Sequence, residues 1–600
     1  MNILGIIGLG MNPAACLLKD GKCIAFAEEE RFTRLKVSEK MFPVKAVAYC
    51  LSCAGLSLDA IDRIAFGWDD TKYPWAVMRN FGFYYLKYKG SEKRSYHKER
   101  FNSALPSVVE VLFEHHPQRT RLKIAEGLRS AGLKGDIPKI EFVPHHLAHA
   151  YSSYFCSNFK RAGILTIDGS GETVCTQLAI AEGDDVRTVE SFPIPHSLGW
   201  FYAAITEYLG FIPYRDEGKL MGLAALGENR SDSNKWIEPL SRILQIKEAT
   251  YEVNPIYTRF GSHYYGNRFT DELVGLITSI DSQAVPIAYG EKTSIGGRIQ
   301  SKYLLDVYID IAWAAQELLE RAAIMLSKRL VEKYKVENIC IAGGVGLNCK
   351  MNGEILRRSG CKNIFVQPAS SDAGAALGAA MFVGKLLGED IRQPLKNAYL
   401  GPGFSNDEIR NILKNCNLSF KEVDNPDEEA ARLLEEGKVI AWFQGRMEFG
   451  ARALGNRSIL ANPAIPNIKD KVNANVKYRE QWRPFCPSLT DLVKDDYIEN
   501  PNEASFMIVA YKANGIMKEK IQSVVHVDGT IRPQVVTEES NPLFYSLISK
   551  LGKRTGYPVV LNTSFNVRGE PIVYSPSEAI RCFYSNGLDA LIMGNFILEK

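Results

Sequence analysis

Short apolar runs separated by turn residues open the chain. Residues 3–7, 14–19 and 23–29 are apolar runs of strand length, and Asp20-Gly21 between the last two is a two-residue hairpin signal. The pattern returns at residues 163–167, 175–181 and 186–192, with Glu182-Gly-Asp-Asp185 as the turn. Each set leads into a stretch of helical period, residues 43–54 and 198–208. A repeated β-β-β-α unit predicts two ribonuclease-H-like halves facing a cleft, in an α/β fold with ligands at the strand ends.

Further on, residues 336–348 read as a strand, a glycine turn and a helix start. Such a turn lets backbone N–H groups at Gly343 and Gly344, with Asn348 beyond them, approach a phosphate or adenosine, although an ordinary strand-to-helix connection looks the same. Glycine, proline and polar residues thicken over 384–406, and a boundary is expected near residue 397, dividing the chain into 1–396 and 397–600. Buried strands are expected again at 439–443, 559–562 and 590–593. An aromatic and basic insertion at 73–101 is compatible with acceptor recognition and equally with packing of an inserted helix.

Composition narrows the classes. The 600 residues are 46% hydrophobic and carry a net charge of +3, enough apolar material for several cores and no global signature for nucleic acid. The first ten residues lack a basic leader, no apolar run reaches membrane-spanning length, and the twelve cysteines show no paired CxxC sets. A reducing, cytoplasmic location without membrane contact is therefore expected. Cys50 and Cys53 read as buried helix cysteines rather than a redox pair.

Three of only nine histidines fall in Val143-Pro-His-His-Leu-Ala-His-Ala-Tyr151. On a helix His145 and His149 share a face, the spacing with which two imidazoles share a metal, while His146 points about 100° away. No glutamate stands where a zinc peptidase would need one. Asp168, at the end of an expected strand, and Asp372, where an alanine- and glycine-rich helix could start, each suit a cap or turn. With the two histidines they form an N₂O₂ set suited to Fe(II), the leading expectation, or to Mn(II) or Zn(II).

From Arg446 to Thr490 eight cations (Arg446, Arg452, Arg457, Lys469, Lys471, Lys477, Arg479 and Arg483) face three carboxylates, a surplus of five. Phe449, Tyr478, Trp482 and Phe485 interleave them. A nucleic-acid groove and a pocket for small phosphorylated substrates both fit. Glycines at 445, 450 and 455 favour the pocket, and Arg532 and Arg568 add planar donors for phosphate.

The chain resembles the O-carbamoyltransferases of the nodulation, cephem and nebramycin type, essentially end to end. The resemblance runs through Ala27-Glu-Glu-Glu-Arg-Phe-Thr-Arg34, the histidine run, Gly218-Lys-Leu-Met-Gly-Leu-Ala-Ala225, Gly343-Gly-Val-Gly-Leu-Asn348, Gly450-Ala-Arg-Ala-Leu-Gly-Asn-Arg-Ser458, Trp482-Arg-Pro-Phe485 and Leu561-Asn-Thr-Ser-Phe-Asn566. It implies an N-terminal domain of the actin/sugar-kinase/Hsp70 superfamily and a C-terminal YrdC-like domain. It also implies that carbamoyl phosphate and Mg²⁺-ATP form carbamoyladenylate in the second domain. The carbamoyl group then passes to a hydroxyl of a small-molecule or sugar acceptor at a metal site in the first. The oligomeric state stays open, a homodimer being one option. Carried over by position, His145, His149, Asp168 and Asp372 match metal ligands. Arg452, Lys477, Arg483 and Arg532 match positions that hold carbamoyl phosphate or ATP, with Asn562 in the same pocket.

Asn12-Pro13 stands where such enzymes usually have His-Asp. Asparagine can hydrogen-bond an acceptor but cannot take its proton. Asp216, Glu217 and Glu28 to Glu30 are the expected substitutes, Asp216 foremost, with a metal-bound hydroxide or the carbamoyl group itself as other routes. Transfer to a protein thiol, as in hydrogenase maturation, is the alternative enzyme reading. A non-catalytic actin-like nucleotide-binding protein is the alternative outside catalysis.

Overall fold

The computed structural model describes residues 1–71, 73, 115–259, 266–287, 306–502 and 504–600. The expected insertion at 73–101 therefore falls, Tyr73 apart, outside the described residues. The first sheet holds β1 (Asn2–Ile7), β2 (Ala14–Lys19), β3 (Lys22–Glu28), β4 (Arg63–Phe66) and β5 (Ile140–Phe142), in the order β3-β2-β1-β4-β5. β1, β2 and β3 are antiparallel neighbours, and β4 and β5 run parallel to β1. A second sheet repeats that order and those directions with β6 (Arg161–Ile167), β7 (Val174–Glu182), β8 (Asp185–Pro193), β9 (Asn338–Ala342) and β10 (Asn363–Val366). The expected duplication is thus present strand for strand, and the expected α/β class with it. Asp20 and Gly21 both adopt positive φ, the backbone of a tight hairpin turn.

Helices fill the crossovers. Those that position the site are α1 (Glu29–Thr33), α2 (Val44–Ala54), α3 (Pro117–Ser130), α4 (His145–Tyr154), α5 (Leu198–Tyr208), α6 (Glu217–Ala224), α7 (Asp306–Tyr334), α8 (Cys349–Arg358) and α9 (Ala373–Leu386). β1 is apolar from Ile3 onward because both its faces are covered. Leu4 and Ile6 join the core under Val47 and Leu51 of α2, while Ile3 and Ile7 join the core of Ala376 and Ala380 of α9. α4 and α9 pack on each other, α9 against β1, β2 and β4 and α4 against β6 and β9. This central pair carries the histidine run and begins just after Asp372. In α2, Cys50 is buried as expected but Cys53 is exposed, since its position turns away from β2 and β3. All twelve cysteines are free thiols.

Residues 421–599 build a third, mixed sheet of β11 (Lys421–Glu422), β12 (Ile440–Phe443), β13 (Arg457–Ala461), β14 (Cys486–Thr490), β15 (Gln534–Val536), β16 (Val559–Ser564), β17 (Ala590–Met593) and β18 (Phe596–Glu599). Its order is β11-β18-β17-β12-β13-β16-β14-β15. Helices Pro426–Glu435 and Pro542–Thr555 cover one face through Leu434, Phe544, Leu547 and Leu551 against Trp442 and Leu460. The other face shares a continuous apolar core with the first two sheets. This α/β unit stands where the resemblance puts the YrdC-like fold. Among the described residues no helix is long and apolar enough to cross a membrane.

The conspicuous acidic-basic motif at 27–34 fastens this third sheet to the first. Arg31 is buried and donates from Nη2 to Gly450 O at 2.7 Å, while Gly450 N–H donates to Glu28 Oε1 at 2.6 Å. Arg34 reaches the carbonyls of Pro571 and Ile572, each at 2.7 Å. Gly450 adopts φ +92° and lies so close to the backbone of Pro368 that a side chain would clash.

Candidate functional site

α4 begins at His145, so His145 and His149 stack on one face one turn apart and point into the gap between the two sheets. Their Nε2 atoms lie 3.1 Å apart. Asp168, one residue past β6, places Oδ2 3.1 Å from His149 Nε2 and 3.5 Å from His145 Nε2. Asp372, at the N-cap of α9, brings Oδ1 to 3.7 Å from His145 Nε2. One donor atom from each of the four residues lies within 4.8 Å of all the others.

Neighbouring groups aim these rings. His145 Nδ1 bonds Gly67 O at 3.0 Å, leaving Nε2 to face the cluster. Glu172 Oε1 accepts from the backbone N–H of His145 at 2.9 Å and of Asp69 at 2.7 Å, tying the start of α4 to the end of β4. His146 faces the other way and is used up by Thr166 Oγ1 at 2.7 Å and Val174 O at 2.8 Å.

The donor set fits a divalent cation. His149 Nδ1 is buried and has no hydrogen-bond partner, and Asp168 Oδ2 is buried with the two imidazole Nε2 atoms facing it. Burial opposes a charge on His145, but the bond to Asp168 and the charges of Asp372 and Asp168 outweigh it and raise the ring to about 9. Burial and the neighbouring Asp168 push the Asp372 carboxyl up to about 7. Burial and the His145 charge lower His149, and burial lowers His146 to about 3. Burial opposes ionisation of Asp168 too, yet bonds to both histidines hold it well below the usual carboxylate range. A proton on His145 thus occupies the lone pair that a metal would take, so binding should release it.

Asp168 and Asp372 wall a cavity of about 2060 Å³ that also runs past the third sheet. There it is lined by Arg452, Lys477, Arg479, Arg483, Arg532 and Arg568. Lys477 ends a wide helical turn, Asn473–Lys477, and its buried ammonium donates to Ser564 O and Asn566 O, each at 2.9 Å. Burial and then Arg479 hold that ammonium well below its usual range. Burial and then Arg532 lower Arg452 to about 10. Arg479 stacks on Phe485, 4.3 Å from ring centre, and burial and Arg483 lower it as well. Crowded cations that depress one another are what a polyanion would relieve. Asn562 is buried, donates to Ser488 Oγ at 3.0 Å, and keeps its Oδ1 without a partner.

Only half of the eight-cation stretch faces this cavity. Arg457 is fully buried over the Phe443 ring at 3.6 Å and bonds backbone carbonyls, among them Gln444 O at 2.6 Å. Arg446 bonds Leu400 O and Ile24 O, and Lys471 pairs with Asp589. Of the three glycines expected beside an anion, Gly450 lines the cavity, with its N–H given to Glu28. The space beside Gly450 is taken by Pro368 and that beside Gly455 by the Phe544 ring. Gly344 and Asn348 line the cavity, Gly344 beside Asp168 Oδ1, but Gly343 does not. The Asn348 amide is occupied, capping α8 at Met351 N and bonding Gln316.

Among the expected proton acceptors, Glu28 and Glu29 are committed, Glu28 to Gly450 and Glu29 to the first N–H groups of α2 at Lys45 and Ala46. Glu30 accepts from Val37 N. Burial opposes ionisation of Asp216, but Lys219, at 2.9 Å, overrides it and lowers the carboxyl, which makes Asp216 a poor base. Burial raises Glu217 to about 7, and it accepts from Tyr214 N. Asn12, at φ +46°, lines the cavity. Sequence reasoning missed Gly67, Glu172 and Lys36, the last a further cation lining the cavity. Glu172 sits in the same glycine-rich segment as Asp168 and could have been found there. Nothing local marks the other two.

Residues 2–381 match the family model described as Carbamoyltransferase N-terminus, and residues 431–600 match Carbamoyltransferase C-terminus. The uncharacterized protein sll1178 of Synechocystis is 34% identical over 100% of this chain and 97% of its own. The nodulation protein NolNO of Sinorhizobium fredii is 34% identical over 98% of this chain and 78% of its own. The crystal structure of T.kodakarensis HypF is 14% identical and covers 64% of this chain and 48% of its own, with a TM-score of 0.30, too slight an overlap to carry an inference. With both family segments matched in order along one chain that has relatives a third identical over nearly its whole length, the protein belongs to the carbamoyltransferase family and is a transferase of carbamoyl groups.

Proposed function

We propose that the protein is an ATP-dependent O-carbamoyltransferase built of two units, 1–396 and 397–600, that share one cavity. In the second unit carbamoyl phosphate and Mg²⁺-ATP become carbamoyladenylate. The atoms balance when one water is consumed and both phosphate and pyrophosphate leave. Lys477, Arg452, Arg483 and Arg532 gather the two anions, and their positive charge offsets charge developing at the transferring phosphorus. Arg568, about half exposed, guards the outer side beside Glu480.

In the first unit the acceptor hydroxyl attacks the carbamoyl carbon, a new C–O bond forms, and AMP departs. His145, His149, Asp168 and Asp372 would hold the divalent cation there, Fe(II) in preference to Mn(II) or Zn(II). When bound, it supplies Lewis-acid stabilisation of the departing phosphate. Asn12 orients the acceptor. Carbamoyladenylate is a mixed anhydride that water destroys, and passage within a single cavity keeps it from bulk solvent.

The observation that carries this reading is a single cavity walled both by Asp168 and Asp372 of the histidine–aspartate cluster and by the arginine–lysine cluster. The test is incubation with ATP and carbamoyl phosphate alone, with mass spectrometry for carbamoyladenylate and pyrophosphate. Arg483→Ala should abolish adenylate formation, and His149→Ala only the later transfer. No AMP or pyrophosphate under any acceptor condition would instead support a non-catalytic nucleotide-binding protein. Carbamoylation of a protein cysteine but of no alcohol would support the thiol acceptor.

A further inference from the structure

The cavity extends beyond the metal cluster to a corner that none of the expected roles uses. β4 ends at Phe66, and the next four residues carry different tasks. Gly67 O fixes His145, and Asp69 N–H joins Glu172. Between them the Trp68 ring packs on His145 with centroids 5.2 Å apart. Asp70 is buried, and its two carboxylate oxygens are taken by the His115 ring, Oδ1 to Nδ1 at 3.1 Å, and by the Thr120 hydroxyl of α3. His115 stacks edge-on to Tyr73 at 4.9 Å and lies 6.1 Å from the Trp68 ring. Trp68, Asp70 and His115 all line the cavity, next to the loop that bears Asn12.

Resting on the reading above, we propose that this corner is the acceptor subsite. Trp68 is the platform for a hydroxyl-bearing ring or polyol, and His115, oriented by Asp70, is the general base. An imidazole whose Nδ1 bonds a buried carboxylate has its tautomer set, with Nε2 as the proton acceptor. Asp70 itself is excluded as base, because both its oxygens are engaged. Among the described residues lining the cavity, His115 is the one histidine, and Asn12 has no proton-accepting group at neutral pH. The Trp68 ring lies 6.1 Å from that of His115 and 5.2 Å from that of His145, so an acceptor packed on it sits near the base and beside the metal cluster. Aromatic faces suit sugars and other cyclic polyols, whose C–H groups pack on the ring while hydroxyls point outward.

The step balances. The acceptor oxygen bonds the carbamoyl carbon, the carbon–oxygen bond to AMP breaks with its electron pair going to the phosphate, and the hydroxyl proton passes to His115 Nε2 and then to water. The products are the carbamate ester and AMP. Asp70 acts through His115 and is a positioning residue.

The test uses the full-length, metal-loaded protein with ATP, carbamoyl phosphate and molar glycerol, then a panel of mono- and disaccharides, as probe acceptors. Pyrophosphate release and carbamoylated polyol are measured separately. His115→Gly and His115→Asn should lower carbamoylated product at least 100-fold while pyrophosphate release stays within threefold, which also shows that the variants fold. Added imidazole should restore transfer to His115→Gly, an effect no structural role of His115 would give. Asp70→Asn should lower the transfer kcat with the polyol KM unchanged, and Trp68→Ala should raise that KM. Full transfer in both His115 variants, or loss of transfer in Glu217→Gln with His115→Asn unaffected, would overturn the base assignment. Adenylate formation with no carbamoylated polyol would overturn the acceptor class. Absence of pyrophosphate from the unaltered enzyme would refute the underlying function instead.

Discussion

Gly378→Ala tests whether the packing of two helices sets the metal site. Gly378 lies in α9, and a Cβ built there would run into the backbone carbonyl oxygen of Ala148 in α4, with Ser152 N only 3.0 Å away. Neither is a flexible side chain that could swing aside. Carbon and oxygen settle at about 3.3–3.6 Å, so the helices must part by roughly 1.5 Å. Overpacking of this kind costs about 1–3 kcal/mol. The displacement matters more for function, because Asp372 rides on the start of α9 while His145 and His149 ride on α4. Metal ligation tolerates only about 0.2 Å in donor distances, and disturbance of the surrounding shell costs about 10–100-fold in affinity. The assay is titration of the metal-free protein with Fe(II) or Mn(II), followed by metal content after gel filtration, beside thermal unfolding. The expected result is at least tenfold weaker metal binding with pyrophosphate release unchanged. Metal affinity within threefold of the parent would refute the argument that this helix contact sets ligand geometry.

Four other outcomes follow from the same structure. Arg31→Met should cost about 3–5 kcal/mol, because it leaves the buried Glu28 charge and Gly450 O unpaired; Glu28→Gln with Arg31→Met should cost less than the two separate losses combined, measured by denaturant unfolding in a double-mutant cycle. Lys477→Met should abolish adenylate formation in a pyrophosphate assay yet leave the melting temperature equal or higher, since burial already disfavours the ammonium. Asp168→Asn should cut metal content to near zero at stoichiometric metal while adenylate formation persists, read by elemental analysis. Burial raises Glu320 on α7 to about 8 against an ordinary 4.5, so its stabilising contribution is complete below pH 4.5 and is lost as pH rises towards 8. Glu320→Gln, which keeps the bond to Gln316, should therefore unfold at higher temperature than the parent at pH 9 and show little difference at pH 5.

What the chain determined by itself is local and periodic. Apolar runs at residues 3–29 and their return at 163–181 reflect strands covered on both faces, and the repeat exposed the duplication. The spacing of His145 and His149 was equally legible, because helical geometry projects residues four apart to the same side. Tertiary structure decided which partners those side chains meet. Arg446, Arg457 and Arg483 look alike in sequence, yet one ties the units together, one is sealed over Phe443, and one faces the cavity. Glu28 to Glu30 read as proton acceptors, but the approach of the third sheet to α1 engages Glu28, the start of α2 engages Glu29, and the Val37 N–H engages Glu30. Asp70 and His115 are 45 residues apart, and only the docking of α3 beside the end of β4 brings them together. Such pairings depend on contacts remote in sequence, where no period or spacing records which group will neutralise, orient or bury another.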